Sequence, residues 1–229
     1  ELDLKTAKIA SSEVTNKPLI KYMAKKFDSL ILSTGASSLG EIEDSVRWIK
    51  QSSKFDNNDL ALLHCTSQYP APLEDVNLNA LLSMKKHFNY PIGYSDHTEG
   101  IEIALGAATL GAVIIEKHFT LDKSMHGPDH KASVNISELT KLVEGVKKIS
   151  KSLGNGRKVI SESELEILPK IRKSLYCHAK NIEPGTKITS DMIEKRIIGI
   201  KRPYNSEAYQ PSQFDKIIGK TLKTKKNYD

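Results

Sequence analysis

The sequence predicts an α/β fold built on a parallel sheet, and three observations carry that reading. Short apolar runs recur along the first two thirds of the chain, and each runs into polar, ligand-capable side chains. Leu30-Ile31-Leu32-Ser33-Thr34-Gly35 and Leu60-Ala61-Leu62-Leu63-His64-Cys65-Thr66 are two of them. Segments with helical spacing of apolar residues separate the runs, and the runs are apolar throughout rather than alternating, as in strands covered on both faces.

In chain order, Lys5 to Ser11 reads as a short strand, and Lys17 to Phe27 as a helix with Leu19, Ile20, Met23 and Ala24 on one face. The run at Leu30 leads to a helix from Leu39 to Gln51, with Ile42, Val46 and Ile49 aligned. The run at Leu60 leads to a helix from Asn77 to Phe88. A strand at Ile92, a small-residue helix from Gly100 to Leu110, a strand at Val113 and a helix from Ser137 to Leu153 complete the series. About five βα units in a row describe consecutive staves of a (β/α)8 barrel or of a doubly wound sheet. A strand that begins so abruptly suggests that more belongs before it. A complete barrel takes about 250 residues, so roughly three N-terminal units are expected to be absent.

Beyond Leu153 the character changes. Gly154-Asn155-Gly156 breaks the helix, and an acidic helical stretch from Glu162 to Leu168 leads to Pro169. Short β-like runs follow at Ser174 to Ala179 and Glu194 to Ile200, with turn chemistry at Glu183-Pro184-Gly185 and Arg202-Pro203. The expected division is a barrel part over residues 1–153, a linker over 154–168 and a small β-rich module over 169–229.

Composition narrows the class. With 38% hydrophobic and 27% charged residues in 229, a globular protein is expected. No apolar run approaches the roughly 20 residues that span a bilayer, and the opening residues lack the pattern of a signal peptide. Two cysteines make no disulfide framework, so a reducing cytoplasm is the simplest setting. Residues 141–202 hold 15 basic and 7 acidic side chains, against 14 and 18 in residues 1–140. Without interleaved aromatics this is a solvated face or an attractor of anionic substrates rather than a nucleic-acid surface.

His97 and His118 each follow a predicted strand and form the sharpest pair, since two imidazoles at one strand end can ligate a divalent metal. Their plain alternative is a pair of unrelated strand-capping histidines. Softness alone favours zinc or iron. Asp129, in Gly127-Pro128-Asp129-His130, is a turn residue or a group that meets a substrate hydroxyl. Lys117 and His118 are adjacent on a strand and so point to opposite faces, which turns Lys117 away from a site that His118 faces. Lys8, followed by Ser11 and Glu13, is free of that conflict and suits an anion or a Schiff base. The hydroxyl-rich ends at Ser33-Thr34 and Thr66-Ser67 suit phosphate or carboxylate oxygens, or simple helix capping.

Six ordered stretches together resemble the sialic acid synthase family, which includes N-acetylneuraminate, legionaminic acid and pseudaminic acid synthases. They are Lys8-Ile9-Ala10-Ser11-Ser12-Glu13, Leu32-Ser33-Thr34-Gly35, His64-Cys65-Thr66-Ser67-Gln68-Tyr69-Pro70, Gly93-Tyr94-Ser95-Asp96-His97-Thr98, Glu116-Lys117-His118-Phe119-Thr120 and Gly127-Pro128-Asp129-His130. Arg172-Lys173-Ser174-Leu175 through Lys201-Arg202-Pro203 resembles that family's C-terminal antifreeze-like (SAF) domain. The resemblance implies a (β/α)8 TIM-barrel fragment followed by an SAF domain, and a metal-assisted condensation of phosphoenolpyruvate with an N-acetylated amino sugar such as N-acetylmannosamine. It implies that His97 and His118 hold Mn2+ or Mg2+, and that Lys8, Ser11, Ser33, Ser67, Tyr69 and Ser95 surround phosphoenolpyruvate. Glu13 and Asp129 then meet the sugar, and Arg202 comes from the small domain of a domain-swapped homodimer. Ser67 stands where some members carry asparagine, and Tyr204 where glycine is usual. A glutamate and a lysine of the family's first strands have no counterpart here, so the chain alone is expected to lack part of the proton chemistry. The competing expectations are a catalytically incomplete carbohydrate-binding or dimerisation module, and a Schiff-base aldolase using Lys8.

Overall fold

A computed structural model describes residues 3–52, 59–177 and 182–223. The chain divides into two compact units, residues 1–156 and 157–229.

The first unit is a parallel sheet of five strands in sequential order, β1 (Thr6–Ile9), β2 (Ser29–Ser33), β3 (Leu60–His64), β4 (Ile92–Asp96) and β5 (Ile115–Lys117). Helices α1 (Lys17–Lys26), α2 (Leu39–Ser52), α3 (Leu73–Val76), α4 (Asn79–His87), α5 (Glu102–Thr109) and α6 (Ile136–Ser152) connect the strands or follow β5. The starts of α1 and α6 have a local cause. Asn16 accepts the Leu19 N–H and Pro18 fills the first turn of α1, while Asn135 and Glu138 form a capping box on α6.

Side chains alternate along a strand, so the sheet has two faces with different jobs. Ala7, Ile9, Leu30, Leu32, Leu60, Leu62, Ile92 and Tyr94 lie on one face and pack with Ile20, Ala24, Ile42, Val46, Ile49, Leu81, Met84 and Ala107 of the helices. Each such aliphatic side chain contributes about 1.5–3 kcal/mol by leaving water. The other face carries Lys8, Ile31, Ala61, Leu63, Gly93, Ser95 and Glu116, as the strand registers require.

The sheet curves around that second face. β1 and β5 are its first and last strands, about 19 Å apart along a flat sheet at the usual strand spacing. Yet Lys8 Nζ of β1 lies 3.2 Å from Glu116 Oε1 of β5, a contact that only a strongly coiled, barrel-like sheet permits.

The structure revises four expected element boundaries, one of them the run at Glu194 to Ile200, which is turn or bend through residue 197 and strand only from Ile198. The helix expected from Asn77 to Phe88 is α4, Asn79–His87, and it is preceded by an unexpected short helix, α3, which Asn77 ends in the left-handed conformation (φ 46°). The strand at Val113 shortens to β5, Ile115–Lys117. Pro169 does not end the acidic helix; it lies inside α7 (Glu162–Ile171), which starts at a Ser161–Glu164 capping box within the stretch expected to be linker.

In the second unit, β6 (Ser174–Cys177) pairs antiparallel with β7 (Ile198–Lys201) over a core of Leu175, Ile188, Met192, Ile198 and Ile217. The expected run beyond Cys177 to Ala179, like the opening two residues, lies outside the described residues.

Candidate active site

At the C-terminal ends of β3, β4 and β5, three rings converge. Tyr69 lies 4.1 Å from His97 and 5.3 Å from His118, centroid to centroid, and the imidazoles are 5.4 Å apart and nearly perpendicular. β4 and β5 are neighbours in register, with Ser95 opposite Glu116 and Asp96 opposite Lys117. One step beyond each strand end, His97 and His118 therefore follow the face of Ser95 and Glu116.

The tautomer of His97 is fixed by its surroundings. Its Nδ1 lies 2.7 Å from the Thr66 carbonyl oxygen, which accepts only if Nδ1 carries the proton, and Nε2 is left with its lone pair. Burial holds the His97 imidazole below its ordinary range; the Thr66 bond opposes that shift and His118 reinforces it. A neutral ring anchored through Nδ1 to a backbone carbonyl is the usual support of a metal-binding histidine. Burial, followed by the carboxylates and Cys65 nearby, raises the Tyr69 phenol.

A second group lies on the same face. Glu116 Oε1 accepts from Ser95 Oγ at 2.7 Å and pairs with Lys8 Nζ at 3.2 Å, while Ser95 Oγ is 3.4 Å from His97 Nε2. Lys8, Glu116 and Ser95 thus form one polar chain from the first strand toward the imidazole pair, ending 3.4 Å short of the His97 Nε2 lone pair.

Asp129 reaches the cluster through a tethered loop. His118 and Thr120 pair with Val134 through backbone bonds, closing the loop at its base, and Ser133 donates its N–H and its hydroxyl to the Asp129 carbonyl. The Asp129 carboxylate comes within 3.9 Å of His118 Nδ1. Ser11 donates to or accepts from Cys65 Sγ at 3.0 Å and receives the Gly35 N–H. Gly35 has no room for a side chain, since a Cβ there would sit 2.8 Å from Cys65 Sγ and 3.1 Å from Ser11 Oγ. The Ser67 hydroxyl also crowds that position.

The remaining expected site residues are less joined to this group. Ser33 Oγ is fully buried with no hydrogen-bond partner among the described residues. The half-buried Glu13 carboxylate bonds to Asn16 and Ser12 on its own turn. Arg202 belongs to the second unit, where its Nε donates to the Ile171 carbonyl at the end of α7.

Glu116 was missed by sequence reasoning, although the signal was present. If His118 faces the site and Lys117 does not, the same alternation places Glu116 with His118.

Among the described residues no group of three or more histidine, cysteine or carboxylate side chains is arranged to hold a metal ion. The two imidazoles would supply two donors of such a site, His97 through the Nε2 lone pair. That donor set fits two positions of a divalent coordination sphere.

Five sequential parallel strands, with an imidazole pair and a lysine–carboxylate–serine group at their C-terminal ends, define a barrel-like α/β fold that gathers its polar side chains on one end of the sheet. The chain belongs to the NeuB family, whose model matches residues 1–158. It is 44% identical over its whole length to N,N'-diacetyllegionaminic acid synthase of Campylobacter jejuni, of which it covers 65%. It is 34% identical over 97% of its length to human N-acetylneuraminate-9-phosphate synthase, covering 59% of that protein. A crystal structure of N-acetylneuraminic acid synthetase from Leptospira borgpetersenii, in complex with citrate, superposes on 72% of this chain and 56% of its own, at 41% identity and a TM-score of 0.66. The chain thus spans somewhat under two thirds of the relatives it matches. The second unit lies outside the family model, while the Campylobacter relative aligns through it. No helix among the described residues is long and apolar enough to cross a membrane.

Proposed function

We propose that this chain carries the metal-binding and anion-binding side of a nonulosonic acid synthase. The reaction joins C3 of phosphoenolpyruvate to the aldehyde carbon of an open-chain N-acetylated amino sugar such as N-acetylmannosamine. Water adds at C2, and phosphate leaves the tetrahedral intermediate. The observation that supports this most is the shared face. The imidazole pair and the Lys8–Glu116–Ser95 chain occupy one concave surface, so a carbonyl oxygen at the imidazoles and an anion at Lys8 would be neighbours.

In this reading His97 and His118 hold Mn2+ or Mg2+; when bound, the ion supplies a Lewis acid for the sugar carbonyl. Lys8 and Ser95, with Ser11, Ser33 and Ser67, bind the phosphate and carboxylate oxygens of phosphoenolpyruvate, and the buried unpartnered hydroxyl of Ser33 suits such an acceptor. Tyr69 stacks beside the imidazoles and limits water. Asp129 accepts a sugar hydroxyl or moves its proton, and Glu13 does the same from the β1 side. The second unit is an SAF-type module that crosses to the neighbouring barrel of a homodimer and delivers Arg202. The ion pair of Lys8 with Glu116 favours an anion-binding lysine over a Schiff-base nucleophile, so borohydride with pyruvate is expected to leave Lys8 unmodified.

The direct test is manganese-dependent release of phosphate from phosphoenolpyruvate in the presence of N-acetylmannosamine. Release abolished by His97→Ala is expected. Release that survives this change at the parent rate would overturn the proposal.

A further inference from the structure

Lys8 Nζ and Ser95 Oγ come from different strands, yet both terminate on the same atom, Glu116 Oε1, at 3.2 and 2.7 Å. Two donors that meet on one oxygen define an anion-binding point. Lys8 and Glu116 are about one third exposed, so the point opens to the concave face rather than being sealed in the core.

We infer that Glu116 is a positioning residue that acts as a stand-in anion, holding Lys8 and Ser95 where an oxygen of an incoming polyanionic substrate must take them over. The inference rests on the phosphoenolpyruvate reading above. It departs from a purely structural role in its consequences. A carboxylate already seated on the lysine repels a substrate that carries both carboxylate and phosphate, and like charges brought together at a recognition site cost affinity. The same carboxylate gives a short shared partner to two donors whose other contacts are long, Lys8 Nζ to the Ile9 carbonyl at 3.4 Å and Ser95 Oγ to His97 Nε2 at 3.4 Å, which lowers the ordering cost of reaching the reactive geometry. Glu116 therefore weakens ground-state binding and favours turnover, which keeps the affinity for anions, phosphate among them, from becoming so high that it traps the site. Its other oxygen, Oε2, has no partner among the described residues, so the carboxylate can turn aside when the substrate arrives.

Isothermal calorimetry of phosphoenolpyruvate binding to the full chain, with inorganic phosphate as a second probe, separates the possibilities. In Glu116→Gln, an isosteric change, both probes are expected to bind about five- to tenfold more tightly, the size expected for removing one like charge at a partly exposed site. Phosphate release from phosphoenolpyruvate is expected to slow in the same variant, so that KM and kcat fall together. Glu116→Asp keeps the charge and is expected to restore an affinity near that of the parent. Weaker or unchanged binding in Glu116→Gln overturns the inference and leaves the functional reading standing. Failure of the parent chain to bind phosphoenolpyruvate, or parent-like binding in Lys8→Met, overturns the functional reading itself.

Discussion

Two ionic groups lie on opposite faces of the same pair of strands, one residue apart in register. On the face toward the helices, Asp96 and Lys117 are opposite each other and sealed from solvent, with side-chain exposures of 0% and 2%. Their contact is 2.8 Å, and further hydrogen bonds surround it. Thr98 gives Asp96 its N–H and hydroxyl, the Lys117 ammonium also donates to the Thr98 carbonyl, and Tyr94 points its hydroxyl toward Asp96. Burial, reinforced by Asp96, raises the Tyr94 phenol well above the usual range, so it stays a donor. On the concave face, Ser95 and Glu116 hold the same register but are linked to a third strand through Lys8, in partial contact with solvent. The difference separates stability from chemistry. A buried pair held by several further hydrogen bonds cannot exchange partners without large cost, whereas a partly exposed pair can hand its donors to a ligand.

The contrast is sharpest for Lys117→Met. It leaves Asp96 buried without its cation and is expected to destabilise the first unit by about 3–5 kcal/mol, read as a lower urea midpoint. Lys8→Met, the matching change on the concave face, removes an ion pair worth about 0–1 kcal/mol. It is expected to leave the urea midpoint nearly unmoved while phosphoenolpyruvate binding is lost. If the two variants unfold alike, the faces are not divided in this way.

Gly93 tests the concave face sterically. A Cβ there would lie 2.6 Å from the Ile114 carbonyl oxygen and 2.9 Å from its Cβ. Because the obstructing atoms include backbone of the neighbouring chain segment, Gly93→Ala is expected to cost about 1–3 kcal/mol.

A smaller effect belongs to the capping box of α6. Glu138 is held below the ordinary carboxylate range first by the Asn135 N–H and then by Lys123. A carboxyl depressed in the folded state stabilises fully above its unfolded value near 4.5 and loses that contribution as pH falls through the folded value. Glu138→Gln is thus expected to cost about 0.5–1 kcal/mol at pH 7, and the gap to the parent should close on acidification below pH 4.5. A gap independent of pH would assign the loss to packing instead.

Much of this was legible in the sequence because strands packed under helices leave recognisable apolar runs, and all five strands appear within or beside the runs read at Lys5–Ser11, Leu30, Leu60, Ile92 and Val113. Outward-facing Lys117 also followed from alternation alone. The short helix α3 escaped because its four residues are too few to show a helical spacing before Asn77 ends it, and Pro169 misled because a proline can sit near the end of a short helix at the loss of one backbone bond. The Lys8–Glu116 contact was beyond reach, since it depends on the curvature that brings the first strand to the fifth. The loop tether that carries Asp129 to His118 depends likewise on the pairing of Val134 with residues far from it in the local pattern.

The assignment of the concave face to metal chemistry rests on the imidazole pair, and manganese binding tests it without requiring turnover. Loss of the free Mn2+ paramagnetic resonance signal on titration with the parent chain is expected, with at least tenfold weaker uptake in His97→Ala and in His118→Ala. His130→Ala, whose ring bonds to Thr120 in the tethered loop, should retain parent uptake. Manganese uptake by His97→Ala equal to that of the parent would contradict the site.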